Sequence, residues 1–224
     1  MNLLHKTVKN TLFVFIGILI GVALITGLFA ASRGAFFSNI FGLNYSYDKQ
    51  LRELEITTDS GELTSLAFSV LKDIKEKNYE DIAEISHPEF GIIFSPYATI
   101  NYAKSKCFMP NDTKRFDNDT NSYVWGVFDG SGDPIEMTVA EYFDRFVYNK
   151  DFLRAPQIGV DYIVKSGNAL ENISDVFPGA RFVDFHFPGD EKTDGLNWSS
   201  LRLVFEEYEG ALRLTALIHN EWTV

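Results

Sequence analysis

The chain has 224 residues, 46% hydrophobic and 15% aromatic, and its 20 basic side chains against 31 acidic ones give a formal net charge of −11. So acidic a balance repels phosphate backbones, which argues against nucleic acid as a partner and offers no polybasic hold on anionic lipid. Cys107 is the only cysteine, so an intrachain disulfide is excluded and the fold must be held by its core.

The first element in chain order is an apolar run from Leu12 to Ala31 whose only polar side chain is Thr26. A helix rising roughly 1.5 Å per residue over that length reaches about 30 Å, enough to cross a bilayer. The apolar region of a cleaved secretory signal is usually shorter, about 7 to 15 residues, so the reading is an uncleaved anchor over 12–32. Lys6 and Lys9 precede the run and only Arg33 follows it, which places residues 1–11 in the cytoplasm and everything downstream outside, as a single-pass protein of the cell membrane. Gly17 and Gly21 form a GxxxG spacing that would let two anchors pack as a homodimer. Residues 33–60 read as a juxtamembrane stalk, with Phe36, Phe37, Phe41, Tyr45 and Tyr47 near the interface. Residues 1–33 hold three of the basic side chains and no acidic one, so the exported remainder carries −14.

Residues 61–224 are the expected extracytoplasmic domain. Leu63, Leu66, Ala67, Val70, Leu71 and Ile74 follow the spacing of an amphipathic helix, with Asp59 and Glu62 as capping candidates. "YEDIAEIS" reads as a second helix that must stop before Pro88, because the residue preceding a proline avoids the helical region. The stretch 98–122 reads as an irregular polar surface loop, and "YVWGVF" followed by "DGSGDP" as a strand and a tight turn. Thr138 and Glu141 form a capping box that opens the aromatic-rich helix "VAEYFDRFVY". Strand-like segments follow near 158–165, 180–187, 199–208 and 211–219, with "NALENISDVF" a short helix between. Helices first and strands last point to an α+β domain, an antiparallel sheet with helices on one face. Cys107 is expected as a small buried hydrophobe.

The candidate site residues are the three exported histidines and their neighbours. Period-2 alternation puts Phe182, Asp184 and His186 on one face of a strand and Val183, Phe185 and Phe187 on the other. A carboxylate two residues from an imidazole could tune it for acid–base work, or the pair could join His219 and Glu221 around a metal, although the spacing fits no metal signature. The structural alternative, which we favour, makes these histidines hydrogen-bonded groups of the fold. "DNDTNS" begins like a calcium loop at Asp117, Asp119 and Asn121 but fails where glycine and a bidentate glutamate are required. No phosphate loop, dinucleotide fingerprint or nucleophile elbow is present. No cofactor and no metal are expected.

The segments "HPEFGIIFSPY", "YVWGVFDGSGDPI", "FVYNKDFLRAPQIG", "ARFVDFHFPG" and "NWSSLRLVFEEYEG…LIHNEWTV" together resemble a family of exported Gram-positive bacterial proteins, lipoproteins or membrane-anchored, to which no activity is attached. The resemblance covers about residues 62–224 and implies a cell-surface setting, the usual lipid-bearing cysteine being replaced here by the helical anchor. The helix pair "SLAFSVLKDIKEKNYEDIAEISHP" is also similar to the start of nuclear-transport-factor-2-like domains, which implies a cone of helices packed into a curved antiparallel sheet. In such a cone Pro88 would stop the second helix at the rim, Gly91 would permit a close backbone approach, and Ser95-Pro96 would end the strand. The functional reading is an extracytoplasmic domain that binds an envelope protein or small ligand, with His87, Tyr97, Asp184, His186, His219 and Glu221 as pocket candidates. The alternative is a small-cavity enzyme of isomerase or hydrolase type using His87, Asp184 and His186 as a carboxylate–histidine acid–base set. A third reading is a structural accessory subunit docking through an aromatic surface.

Overall fold

The computed structural model describes residues 59–223, so the predicted anchor, stalk and GxxxG dimer contact lie outside the described residues. Among the described residues no helix is long and apolar enough to cross a membrane.

Helix α1 runs over 59–76 and buries Leu63, Ala67, Val70, Leu71 and Ile74, the stripe that the spacing dictates. Asp59, the first described residue of α1, pairs with Arg181. The helix ends in a Schellman motif, in which Lys77 takes a φ of 57° and the Asn78 N–H donates to Asp73 O at 2.8 Å. Helix α2 (Tyr79–Ile85) stops where Ser86 turns extended, two residues before Pro88.

Eight strands follow, β1 (Ile92–Ser95), β2 (Lys106–Phe108), β3 (Ser122–Val127), β4 (Pro134–Thr138), β5 (Gln157–Val160), β6 (Arg181–Phe187), β7 (Ser199–Tyr208) and β8 (Ala211–Glu221). Six of them form one sheet in the order β2-β1-β8-β7-β6-β5, while β3 and β4 make a separate hairpin across the expected "DGSGD" turn. The sheet is antiparallel except between β1 and β8, which run parallel because the chain crosses the whole domain between them. Glu209 and Gly210, both with positive φ, close the β7–β8 hairpin in the sense that matches strand twist. This is an α+β domain with a mostly antiparallel sheet, as the order of elements predicts.

The two faces of the sheet are covered differently. On one face, α1 and α2 pack with Val183, Phe185, Leu201, Leu203, Phe205, Leu214 and Leu217. The helix opened by the Thr138–Glu141 capping box joins them, although only Val139–Tyr142 (α4) is α-helical and Phe143–Val147 winds on as a π turn. On the other face a segment bearing the short helix α5 (Ile173–Val176) lies over Phe182, Val204, Ala216, Ile218 and Ile93. The alternation in β6 is therefore as read.

Aromatic rings fill the space between the helices and the sheet. Phe94 contacts Phe108, Phe116, Trp125, Tyr142 and Phe143 with ring centroids 5.6 to 6.2 Å apart. Trp125 stacks on Tyr142 at 3.8 Å and donates its indole N–H to Met137 O.

Two expectations are corrected. Residues 98–122 are not simply a loop: they contain β2, the helical turn α3 (Pro110–Thr113) and a 3-10 turn, and they bury Ile100, Phe108, Thr113 and Phe116. The polar composition hid apolar residues spaced singly. Cys107 is exposed rather than buried, because in β2 at the sheet's edge it pairs with Ile93 and its thiol meets only Phe90 O at 3.0 Å.

Gly91 performs the role read from "HPEFGIIFSPY". Its φ is +66°, and a Cβ there would lie 2.3 Å from Phe108 O. Gly91→Ala is therefore expected to cost about 1–3 kcal/mol or more, since both strain and a backbone clash oppose it. Gly61→Ala, in α1 with nothing within 4 Å, should be neutral or stabilising by about 0.5–1 kcal/mol. Chemical denaturation of both variants checks the contrast; equal effects would refute the close-approach role.

Candidate functional site

A surface cleft of about 550 Å³ opens between the loop after β1 and the β3–β4 hairpin. Tyr97 and the fully buried Trp125 line it, with Asn101, Lys104 and Ser105 on one side and Phe128 and the Asp129–Gly132 turn on another. A third side is formed by Asn168 and Ala169. Hydrogen bonds tie these sides together. Thr223, just past β8, donates to Asp129, while Asn168 Nδ2 donates to Thr223 O at 2.8 Å. Thr99 donates to Leu170 O at 2.7 Å, and Asn172 exchanges two bonds with the Ile100 backbone. A concavity held on three sides needs little ordering when a ligand enters.

Behind Tyr97 lies an ionic group. Tyr97 packs edge-on against Phe146, Phe146 against His219, and the Arg145 guanidinium sits 4.4 Å over the Phe146 ring. Arg145 makes a two-pronged contact with Glu221, one prong at 3.1 Å, and His219 Nε2 lies 3.3 Å from Glu221 Oε2. The π turn extends the helix so that Arg145 reaches the end of β8. Burial raises the Tyr97 phenol above its ordinary value, opposed by a backbone contact at Asp129. Burial lowers His219, opposed by its contact with Glu221. For Glu221, burial pulls upward, but the His219 and Arg145 contacts outweigh it and hold the carboxyl at about 2. A carboxyl depressed in the folded state stabilises above its ordinary value of 4.5, and that contribution is lost as pH falls through about 2. The stability gap between wild type and Glu221→Gln should therefore shrink as pH drops from about 4.5 toward about 2. A gap independent of pH, read from denaturation curves, would dismiss the ion pair as a source of stability.

Asp184 and His186 belong to a second polar cluster, on the opposite face of the sheet. Asp184 is fully buried, accepts from the Val164 N–H at 2.9 Å, and lies 3.4 Å from Nε of the equally buried Arg202. Arg202 in turn grips Glu171 through both terminal nitrogens and donates to Lys165 O, and Asn220 donates to Glu171 at 3.0 Å. Burial raises the Asp184 carboxyl, with Arg202 and the Val164 amide opposing. His186 Nδ1 is bonded to Ser200 Oγ at 2.8 Å, and burial lowers the imidazole, with Lys165 and Arg202 adding to that. The partner of Asp184 is thus Arg202, not His186.

The candidates do not converge. In the strand register His186 faces Ser200 and Asn220, whereas His219 faces Leu201, so the two histidines project from opposite faces. They cannot share one metal ion, as the sequence reading had allowed. Among the described residues no group of three or more His, Cys, Asp or Glu side chains is placed to hold a metal. His87 stands at a third place, buried, with Nδ1 accepting from the Glu89 and Phe90 N–H groups and the ring stacked on Phe90. It locks the turn between α2 and β1. Asp119 accepts from Tyr123, and from Asn121 twice, closing a local turn.

Sequence reasoning missed Arg145, Glu171 and Arg202. For Arg202 a signal existed, since an arginine within the apolar run "SSLRLVF" of a central strand demands a buried carboxylate. No protein-family model, curated protein or solved structure matches the chain.

Proposed function

We propose that this chain is a membrane-anchored extracytoplasmic binding domain of a bacterial cell surface, taking its ligand in the cleft beside Tyr97. The observation that carries the reading is a filled core next to a braced, open concavity of about 550 Å³, within the usual size of ligand sites. The likeness of its segments to exported Gram-positive proteins and the Leu12–Ala31 run support the setting, and the helix pair packed on the sheet suits a cone of the nuclear-transport-factor-2-like kind. In that reading the cone is closed by aromatic side chains.

The enzyme alternative fares less well on the same geometry. Asp184 is fully buried and held by Arg202, and His87 and His186 are each only 3% exposed and stand apart, so the proposed acid–base set neither converges nor faces a cavity.

Two experiments test the proposal. Protease added to protoplasts should digest residues 61–224 and leave a small anchored fragment; full protection of the domain overturns the orientation. A thermal-shift screen of envelope-derived small molecules and peptides against the full chain should find a stabilising ligand whose effect disappears in Ser131→Trp, which fills the cleft from an exposed turn. Turnover of a substrate that His186→Gln abolishes without loss of fold would install the enzyme reading instead.

A further inference from the structure

The cleft differs in charge from three other concavities of this acidic domain, of which the one beside β2 sets Lys106, Lys114 and Arg115 against Asp112 and Asp119. The groove beside α1 and α2 carries Asp73, Asp81 and Glu84, and the one at Arg181 sets three carboxylates against a single guanidinium. The cleft lining holds one cation, Lys104, and one anion, Asp129, whose carboxylate is already engaged by Thr223 and the Gly130 N–H. It therefore has no net charge, although the exported part carries −14. A ligand carrying several charges would find at most one counter-charge there, the Lys104 ammonium.

The remaining lining groups are neutral and two-sided. The Ser105 and Ser131 hydroxyls each accept a backbone N–H, from Asn101 and Asp133, and keep an O–H to donate. Asn101 spends its carbonyl on the Ala103 N–H and retains its amide donors. The half-buried rings of Tyr97 and Phe128 add apolar surface to the same lining. Hydrogen-bonding groups around flat apolar faces, without net charge, match a molecule whose edges are hydroxyls and whose faces are C–H.

We propose that the cleft takes a neutral saccharide of about two pyranose rings, a size its volume accommodates. This rests on the cleft being the binding site. Tyr97 and Phe128 receive the sugar faces, while Ser105, Ser131 and Asn101 exchange hydrogen bonds with the hydroxyls.

The test is saturation-transfer NMR on the full chain in a detergent without a sugar headgroup. The probes are cellobiose, maltose and the N-acetylglucosamine disaccharide, run beside a phosphorylated disaccharide and a short acidic peptide. At least one neutral disaccharide should give transfer, weakened by about tenfold or more in Ser131→Trp and changed by less than about threefold in Lys104→Ala. Unchanged melting of Ser131→Trp shows that the loss is not unfolding. Transfer only from a charged probe, abolished by Ser131→Trp, overturns the saccharide class but keeps the cleft as the binding site. Transfer from a neutral sugar that Ser131→Trp leaves intact overturns both the cleft and the saccharide assignment, and so does transfer from no probe.

Discussion

Arg202→Leu should lower the stability of the domain by about 3–5 kcal/mol, because it strips the counter-charge from a buried carboxylate. Arg202 and Asp184 are both fully buried, and Glu171, bridged to Arg202 and to Asn220, covers them. Removing the guanidinium leaves two carboxylates and the Lys165 carbonyl facing an apolar side chain. Replacing Arg202, Asp184 and Glu171 together with apolar residues of similar volume should recover most of that loss, since a buried ion pair repays little beyond its own desolvation. Asp184→Asn should be mild: burial already disfavours the charged form, and the amide oxygen can still accept from Val164. His186→Gln should cost about 1 kcal/mol, the worth of the bond to Ser200. Urea titrations of the single and triple variants decide the matter. A triple variant no more stable than Arg202→Leu would mean that the network supplies net stability.

Phe94→Ala is the second large effect, expected at about 3–5 kcal/mol. Five aromatic side chains meet the Phe94 ring, and Trp125 and Tyr142 are stacked on each other, so none can move into the vacated volume without breaking an existing contact. Phe90→Ala, by contrast, removes a ring that is 61% exposed and should change stability by less than about 0.5 kcal/mol beyond its stacking on His87. If the Phe94 variant lost under about 1 kcal/mol, the core would be too loosely packed to exclude an internal ligand. The filled-core argument against the cavity enzyme would then fall with it.

Much of the local structure was legible because local rules suffice for it. The stripe from Leu63 to Ile74, the capping box at Thr138, the stop before Pro88 and the alternation through Phe182–Phe187 each follow from a period or a steric restriction spanning a few residues. The tight approach at Gly91 was expected from the resemblance to cone-shaped domains, not from a local rule, and its positive φ and the nearby Phe108 carbonyl account for it. The stretch 98–122 was misread because Phe108 and Phe116 sit singly among polar residues, and only packing against Phe94 makes them core.

The sequence by itself determined the α+β class, the two leading helices, the run of strands from β5 to β8, and the face on which each β6 side chain projects, since these depend on backbone preferences and on side-chain periods of 2 and 3.6. It could not determine which candidate residues meet. That Asp184 belongs to Arg202, that His219 lies across the sheet from His186, and that Tyr97 lines a cleft with a turn some thirty residues away depend on strand register and on contacts far apart in the chain. Such pairings follow from how the apolar faces dock, which no local period encodes, so the tertiary structure alone moved the candidate site from the histidines to the cleft.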